Sequence, residues 1–312
     1  MIHAKHLTKT YGNFIAVQNA TFTVQTGEVV GLLGPNGAGK TTIMRMLTGF
    51  TPPSAGQVLI GDFDLARDPL DARQLIGYLP ERVPLYTDLT VLEYLHYWAE
   101  LRGMTNRKQR TARVHAILDE VQLGDKKRHL VRHLSKGMRQ RLGIAQALVH
   151  QPRVIILDEP TIGIDPHQVI EVRQTVRELR NQHAVLFSTH ILTEAEQVCD
   201  RLIILNRGQI IAQGTPSELR QRVQAGGAVY VETRERLSAT EWQSLLAPIP
   251  HIRSVQTERN GVHLIMDGLD CRDAISTTIQ SANLTLIELS SHSLTLEDVF
   301  VALTSSQGTP RP

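Results

Sequence analysis

The chain has 312 residues, with 33 Lys and Arg against 31 Asp and Glu, a formal net charge of +2, 41% hydrophobic and 21% charged residues. Such a length suits one large and one small domain, and the composition permits packed cores and argues against wholesale disorder. So even a charge balance gives no strongly basic face of the kind nucleic-acid binders use, and no nucleic-acid partner is expected.

Met1-Ile2-His3-Ala4-Lys5 lacks the basic-then-apolar order of a secretory signal, and no apolar run approaches the roughly 18 residues of a membrane span. A cytoplasmic chain is the expectation. Short strands follow, with Ala20–Val24 alternating and Glu28–Leu33 continuous and apolar, as in a strand buried on both faces. A glycine-rich turn comes next. From about Leu89 to Ala147 the pattern is helical, with Leu92, Leu95, Tyr97 and Leu101, then Val114, Ile117, Leu118 and Val121, at near-helical spacing. Strand patterns return at Val154–Leu157, Val185–Ser188 and Leu202–Leu205, between helices predicted to start near Pro166 and Leu192. That alternation predicts a parallel α/β sheet.

Past Ala225-Gly226-Gly227 the texture becomes strand (Ala228–Thr233), helix (Ala239–Leu246), a hairpin around Asn260-Gly261, helix (Arg272–Ser281) and strand (Thr285–Leu289). The order βαββαβ predicts a small ferredoxin-like α+β unit. Domains are thus expected at 1–222 and 227–304, with a frayed tail at 305–312. Cys199 and Cys271 form no CxxC pair, so buried thiols in a reducing compartment are expected rather than a disulfide framework or a zinc knuckle.

Gly34-Pro35-Asn36-Gly37-Ala38-Gly39-Lys40-Thr41 fits G-x-x-x-x-G-K-[ST], and Thr42 continues into a helical pattern (Ile43, Met46, Leu47). A strand before and a helix after are the context that separates a P-loop from a chance glycine-rich turn. The glycines let successive N–H groups converge on an anion, and the helix start near Lys40 adds its positive end. Lys40 would reach the β- and γ-phosphates, and the Thr41 hydroxyl would take one Mg²⁺ position. Val154-Ile155-Ile156-Leu157 runs into Asp158-Glu159, which places two carboxylates at the lip of the sheet where the P-loop also opens. Asp158 suits Mg²⁺ through a water, and Glu159 remains to activate the attacking water. The competing reading is an ordinary N-cap pair before Pro160.

With a P-loop, an Asp-Glu strand end and a helical insertion between them, residues 2–220 resemble the ATP-binding subunits of ABC transporters. The resemblance implies a P-loop NTPase fold with a RecA-like parallel sheet core, an antiparallel β subdomain and a helical subdomain at about 85–150. Leu134-Ser135-Lys136-Gly137-Met138 resembles the family's LSGGQ signature, with Lys136 and Met138 as departures. In the family this loop caps the γ-phosphate held by the opposite subunit, which implies a head-to-tail dimer with two composite sites. Ser135 and the Gly137 backbone, at a helix start, can donate to phosphate, and Lys136 can add charge.

The resemblance extends to single residues. Tyr11 is similar to the aromatic residue that stacks on adenine, and His190 to the switch histidine at the γ-phosphate. Ile164-Asp165 match the end of the loop that crosses the dimer seam. Glu81, in Tyr78-Leu79-Pro80-Glu81, stands where the family carries a glutamine that contacts Mg²⁺ and senses the membrane partner. A carboxylate there supplies oxygen to the metal but adds negative charge beside a triphosphate. Catalysis is thus expected of Lys40, Glu159 and His190, and metal binding of Thr41, Asp158 and Glu81.

The YLPE loop, the LSKG signature and a C-terminal Leu-Glu-Asp-Val-Phe motif at Leu296–Phe300 resemble those of drug-resistance and gliding-motility exporters. Taken together, the resemblance implies an ATPase at the cytoplasmic face of the membrane, peripheral, powering a separate transmembrane permease. The basic groups Lys126-Lys127-Arg128-His129 and Arg102, Arg107, Lys108, Arg110, Arg113 read first as solvated helix surface and second as a face for anionic lipid or an acidic coupling helix. The alternative function, a soluble ABC ATPase acting on nucleic acid or ribosomes, usually carries two cassettes or a long coiled coil, and neither pattern is found in this sequence. A slowly hydrolysing nucleotide switch is the third reading, against which Glu159 argues.

Overall fold

Alternating residues at the start of the chain pair as a hairpin, β1 (Ile2–Tyr11) with β2 (Phe14–Val24), closing at Tyr11 opposite Phe14. β2 is therefore longer than the expected Ala20–Val24. β3 (Val29–Leu33) is buried at every position and leads into α1 (Lys40–Leu47). β4 (Ala55–Ile60) and β5 (Phe63–Asp64) then return to the hairpin, completing an antiparallel sheet in the order β2-β1-β4-β5.

A short helix, α2 (Pro69–Gln74), precedes β6 (Ile76–Leu79), and a helical insertion follows: α3 (Val91–Leu101), α4 (Arg107–Glu120) and α5 (Lys136–Leu148). Three strands and two helices alternate after it as β7 (Val154–Asp158), α6 (Pro166–Leu179), β8 (Ala184–Thr189), α7 (Leu192–Val198) and β9 (Arg201–Asn206), and β10 (Gln209–Gly214) closes the edge. The resulting six-stranded sheet runs β10-β9-β3-β8-β7-β6, with β9, β3, β8, β7 and β6 mutually parallel. β7 and β8 are buried throughout, as continuous apolar strands in a sheet covered on both faces must be.

α1 packs against β1, β2 and β7. One core joins its Ile43, Met44 and Leu47 to Val30, Leu32, Ile156 and Leu186 of the parallel sheet and to Leu7, Val17 and Phe22 of the antiparallel one. Each such side chain contributes about 1.5–3 kcal/mol on burial, so the helix behind the phosphate loop is among the best anchored elements of the chain.

In the insertion, α3 starts with a capping box between Thr90 and Glu93. Its buried face is Val91, Tyr94, Leu95 and Ala99, while Tyr97 and Leu101, expected inside, are 45% and 61% exposed. Tyr94 takes the inner position because its hydroxyl finds Gln146. Val114, Ile117, Leu118 and Val121 are buried as expected. Arg113 is not a solvated basic residue: its Nη2 donates to the Leu148 carbonyl at 2.9 Å, closing the end of α5.

The structure, a computed structural model, describes residues 1–224, 228–258, 261–266, 271–292 and 299–300. The chain divides into Met1–Gln213 and Gly214–Pro312, so that α8 (Pro216–Gln224) is counted with the second unit. That unit continues with β11 (Ala228–Thr233), α9 (Ala239–Leu246), β12 (Ile252–Thr257), β13 (Gly261–Met266), α10 (Arg272–Ser281) and β14 (Leu286–His292). Its strand order β12-β13-β11-β14, antiparallel at every pairing, is the ferredoxin-like arrangement. Trp242, Leu246, Ile275 and Ile279 cover the inner residues Val229, Val231, Val262 and Leu264. Ala225-Gly226-Gly227, Asn260, Leu296-Glu297-Asp298 and the 305–312 tail lie outside the described residues. Both cysteines are buried.

His150, between α5 and β7, holds the Ile76 carbonyl through Nε2 at 3.1 Å. Burial, with Arg102 and Arg113 nearby, pushes its pKa down to about 4. Between that value and its ordinary value of about 6.5 the unfolded chain binds a proton that the folded one refuses, so stability falls as pH drops across this window. In urea melts between pH 7 and 4 the wild-type protein is expected to lose stability more steeply than His150→Gln, whose side chain can hold the same carbonyl without titrating.

Candidate functional site

Gly39 caps α1 with φ 107°, and no side chain bonds the first amides of that helix. A Cβ at Gly39 would lie 2.7 Å from the Ala16 carbonyl oxygen, so both the left-handed turn and the tight seat on β2 require glycine. Thr90, Asn106 and Asp165 cap α3, α4 and α6 through their side chains. The amide end of α1, by contrast, faces a cleft of about 640 Å³ lined by Tyr11, Phe14, Asn36, Gly37, Ala38, Gly39, Lys40, Thr41, Thr42, Glu81, Glu159 and His190, among others. An anion seated there meets backbone N–H groups, the helix dipole and one ammonium together.

Lys40 is 6% exposed and its Nζ donates to the Gly34 carbonyl at 2.7 Å and the Pro35 carbonyl at 3.3 Å. Gly34 and Pro35 thus orient the lysine and do not themselves line the cleft. The same Nζ lies 3.4 Å from Glu159 Oε1, and Glu159 Oε2 lies 2.8 Å from His190 Nδ1. Glu159 is therefore gripped from both sides at the floor of the cleft. Its backbone has φ 49°, a left-handed conformation that is strained for a residue with a side chain. Glu159 N–H donates to Ser188 Oγ at 2.9 Å, and Ser188 Oγ–H donates to Asp158 Oδ1 at 2.7 Å. The helix that follows starts only at Pro166 and is capped by Asp165, so the Asp-Glu pair is not its N-cap.

Asp158 is 1% exposed. Burial raises its pKa first of all, hydrogen bonds from Ser188 and Thr41 oppose that, and the neighbouring charges of Glu159 and Glu81 add to the rise. Among the described residues no group of three or more His, Cys, Asp or Glu is arranged to hold a metal ion. A divalent cation here would rest on the Thr41 hydroxyl, Asp158 and Glu81, with phosphate and water completing its shell. The donors are all hard oxygens, and the crowding of carboxylates is the kind a cation relieves, so the residues fit Mg²⁺.

Ser135, Lys136, Gly137 and Asp165 do not line this cleft; among the described residues they form a second cluster. Ser135 Oγ caps α5 by accepting from Met138 N at 3.2 Å, and Gln168 Nε2 donates to it at 3.3 Å. Asp165 Oδ1 accepts from Gln168 N at 3.1 Å. A Cβ on Gly137 would collide with the Gln168 side chain, so this glycine lets the signature helix and the loop at Asp165 close on each other.

Residues 17–162 match the ABC transporter family. The chain is 37% identical over 303 residues to the uncharacterized ABC transporter ATP-binding protein YxlF of Bacillus subtilis (strain 168), covering 96% of this chain and 98% of YxlF. The chain belongs to the ATP-binding proteins of ABC transporters. The linearmycin resistance ATP-binding protein LnrL of the same organism is 30% identical over 308 residues, 97% of this chain and 98% of LnrL. A solved dimeric ATP-binding cassette in a post-hydrolysis state bound to ADP and Pi superposes with a TM-score of 0.62 at 28% identity, covering 69% of this chain and 98% of that one. This ABC protein is accordingly an ATPase that binds ATP.

Within the ABC cassette, some contributors are not indicated by the sequence, Phe14, Ser188 and Ile162 among them. Phe14 faces Tyr11 across the first hairpin and lines the cleft beside it; an aromatic three residues after Tyr11 was the available signal. Ser188, opposite Asp158 in the sheet register, bridges the two carboxylate residues. Ile162 joins the lining from the turn after Glu159. Lys40→Ala is expected to weaken ATP binding roughly 10- to 100-fold in a nucleotide titration, since a hydrogen bond to a charged group is worth about 1.5–3 kcal/mol.

Proposed function

We propose that this ABC ATPase powers a separate transmembrane permease, in the direction of export, as a head-to-tail pair at the cytoplasmic face of the membrane. The observation that carries the catalytic part is Glu159 at the cleft floor, held between Lys40 and His190. In this reading the α1 amides and Lys40 take the β- and γ-phosphates, and Tyr11 with Phe14 offers flat rings to the base. Glu159 accepts a proton from the attacking water, and His190 fixes the carboxylate and faces the γ-phosphate. Mg²⁺ on Thr41, Asp158 and Glu81 would neutralise phosphate charge.

Three observations support the pairing and the partner. The cluster of Ser135, Lys136, Gly137 and Asp165 has no phosphate loop of its own, which suits a second copy supplying one, and the dimeric cassette is a precedent for assembly. No helix among the described residues is long and apolar enough to cross a membrane, so a transmembrane path would come from another chain. Finally, a second cleft of about 390 Å³ is lined by Phe50, Arg73, Tyr78 and Arg102, among others, with Phe50 76% exposed and Leu101, next to Arg102, 61% exposed. Large exposed apolar side chains at a groove suit a protein partner. The resistance role in the name of LnrL favours export.

Glu159→Gln is expected to bind ATP, accumulate as a dimer in size-exclusion chromatography and lose turnover by about 10²–10⁴, the usual contribution of a general base. Wild-type hydrolysis by this variant would reject Glu159 as the base. For Glu81→Gln, a change in Mg²⁺ dependence or ATPase rate is expected; unchanged hydrolysis and unchanged transport would remove Glu81 from the site.

A further inference from the structure

Thirty-odd residues beyond the acidic strand end, α7 carries a carboxylate that the chemistry above does not use. Glu194 is 2% exposed. Its Oε2 accepts from Thr161 Oγ1 at 2.6 Å and from Thr189 Oγ1 at 3.2 Å, and its Oε1 lies 3.2 Å from Arg173 Nη2. A charge this deep is tolerated because every side of it is answered by a donor.

The two threonines are what make the arrangement informative. Thr161 is two residues past Glu159, inside the turn closed by Ile162 N–H on the Glu159 carbonyl at 3.1 Å. Thr189 immediately precedes His190, and its Oγ1 also accepts from Ile191 N at 3.0 Å. One carboxylate oxygen therefore holds two turns, each presenting one member of the Glu159–His190 pair. Thr161 and Thr189 are 4% and 0% exposed, so water cannot replace either bond. Arg173 extends the same network into α6, the helix that Asp165 caps.

We propose that Glu194 is a positioning residue: through Thr161 and Thr189 it sets the spacing of Glu159 and His190, and through Arg173 it ties that spacing to the helix behind Asp165. The proposal rests on the reading of Glu159 as the base. A strained backbone at Glu159 needs such a tie, because a left-handed turn with a side chain relaxes unless its surroundings hold it. Small misplacements of a reacting group cost rate rather than binding, and a shift of about 1 Å can cost about 100-fold.

Thr161→Val and Thr189→Val remove one hydroxyl each at nearly constant volume, and Thr161→Ser and Thr189→Ser keep it. Steady-state ATPase assays are expected to show kcat lowered about tenfold in each valine variant, with KM for ATP within about twofold of wild type, and near-complete recovery in the serine variants. A purely structural role would move melting temperature without this split and without rescue by serine. If a valine variant does not fold, Thr161→Ala and Thr189→Ala give the same comparison. Wild-type kcat in the valine or alanine variants, or equal losses in the serine variants, overturns the proposal. Glu159→Gln assayed in parallel separates the two readings: if it turns over normally, the base assignment and the positioning role fall together. If it is inactive while the valine variants are normal, the positioning role alone falls.

Discussion

Glu159 is buried between an ammonium 3.4 Å away and an imidazole 2.8 Å away. Everything else at the site serves that placement. Lys40 is brought there by a loop whose carbonyls hold its Nζ, and the loop is fixed by α1, wedged against strands of both sheets. His190 is brought there by the end of β8, and Ser188 on the same strand pins the backbone of Glu159. The parallel sheet thus delivers three chemically different groups to one point from the carboxyl ends of three neighbouring strands.

Much of this is legible in the sequence. β3, β7 and β8 are short apolar runs that end in glycine, acid or hydroxyl-histidine clusters, and a strand buried on both faces has no other way to read. The P-loop string predicts its own glycine-rich turn ahead of α1, while the turning of the Gly34 and Pro35 carbonyls onto Lys40 Nζ is not readable from residue types. Side-chain partnership across the sheet was not legible: nothing local to Ser188 says that it bonds Asp158, since that depends on register between distant segments. The inner face of α3, Val91, Tyr94, Leu95 and Ala99, differs from the sequence expectation for a related reason. Leu and Tyr at successive near-helical positions satisfy two faces equally, and the choice was made by Gln146, fifty-two residues away, accepting from Tyr94.

The second cluster shows a different division of labour. Ser135, Gly137 and Asp165 satisfy their polar atoms with Gln168 and with the first turns of α5 and α6. Those bonds hold the signature segment and the loop after the acidic strand as one surface. Glu194 of α7 and Arg173 of α6 form an ion pair at 3.2 Å, a polar tie between the two helices that follow the acidic strand and β8.

The left-handed backbone at Glu159 has a consequence for how this protein can change over time. A side chain at φ 49° sacrifices about 1–2 kcal/mol relative to glycine at the same place. Selection for ruggedness alone would drift this position toward glycine or asparagine, and each such step would remove the carboxylate held between Lys40 and His190. The residue proposed as the base is also one that folding would gladly give up, so on that reading heat tolerance in this cassette has to be sought at other positions.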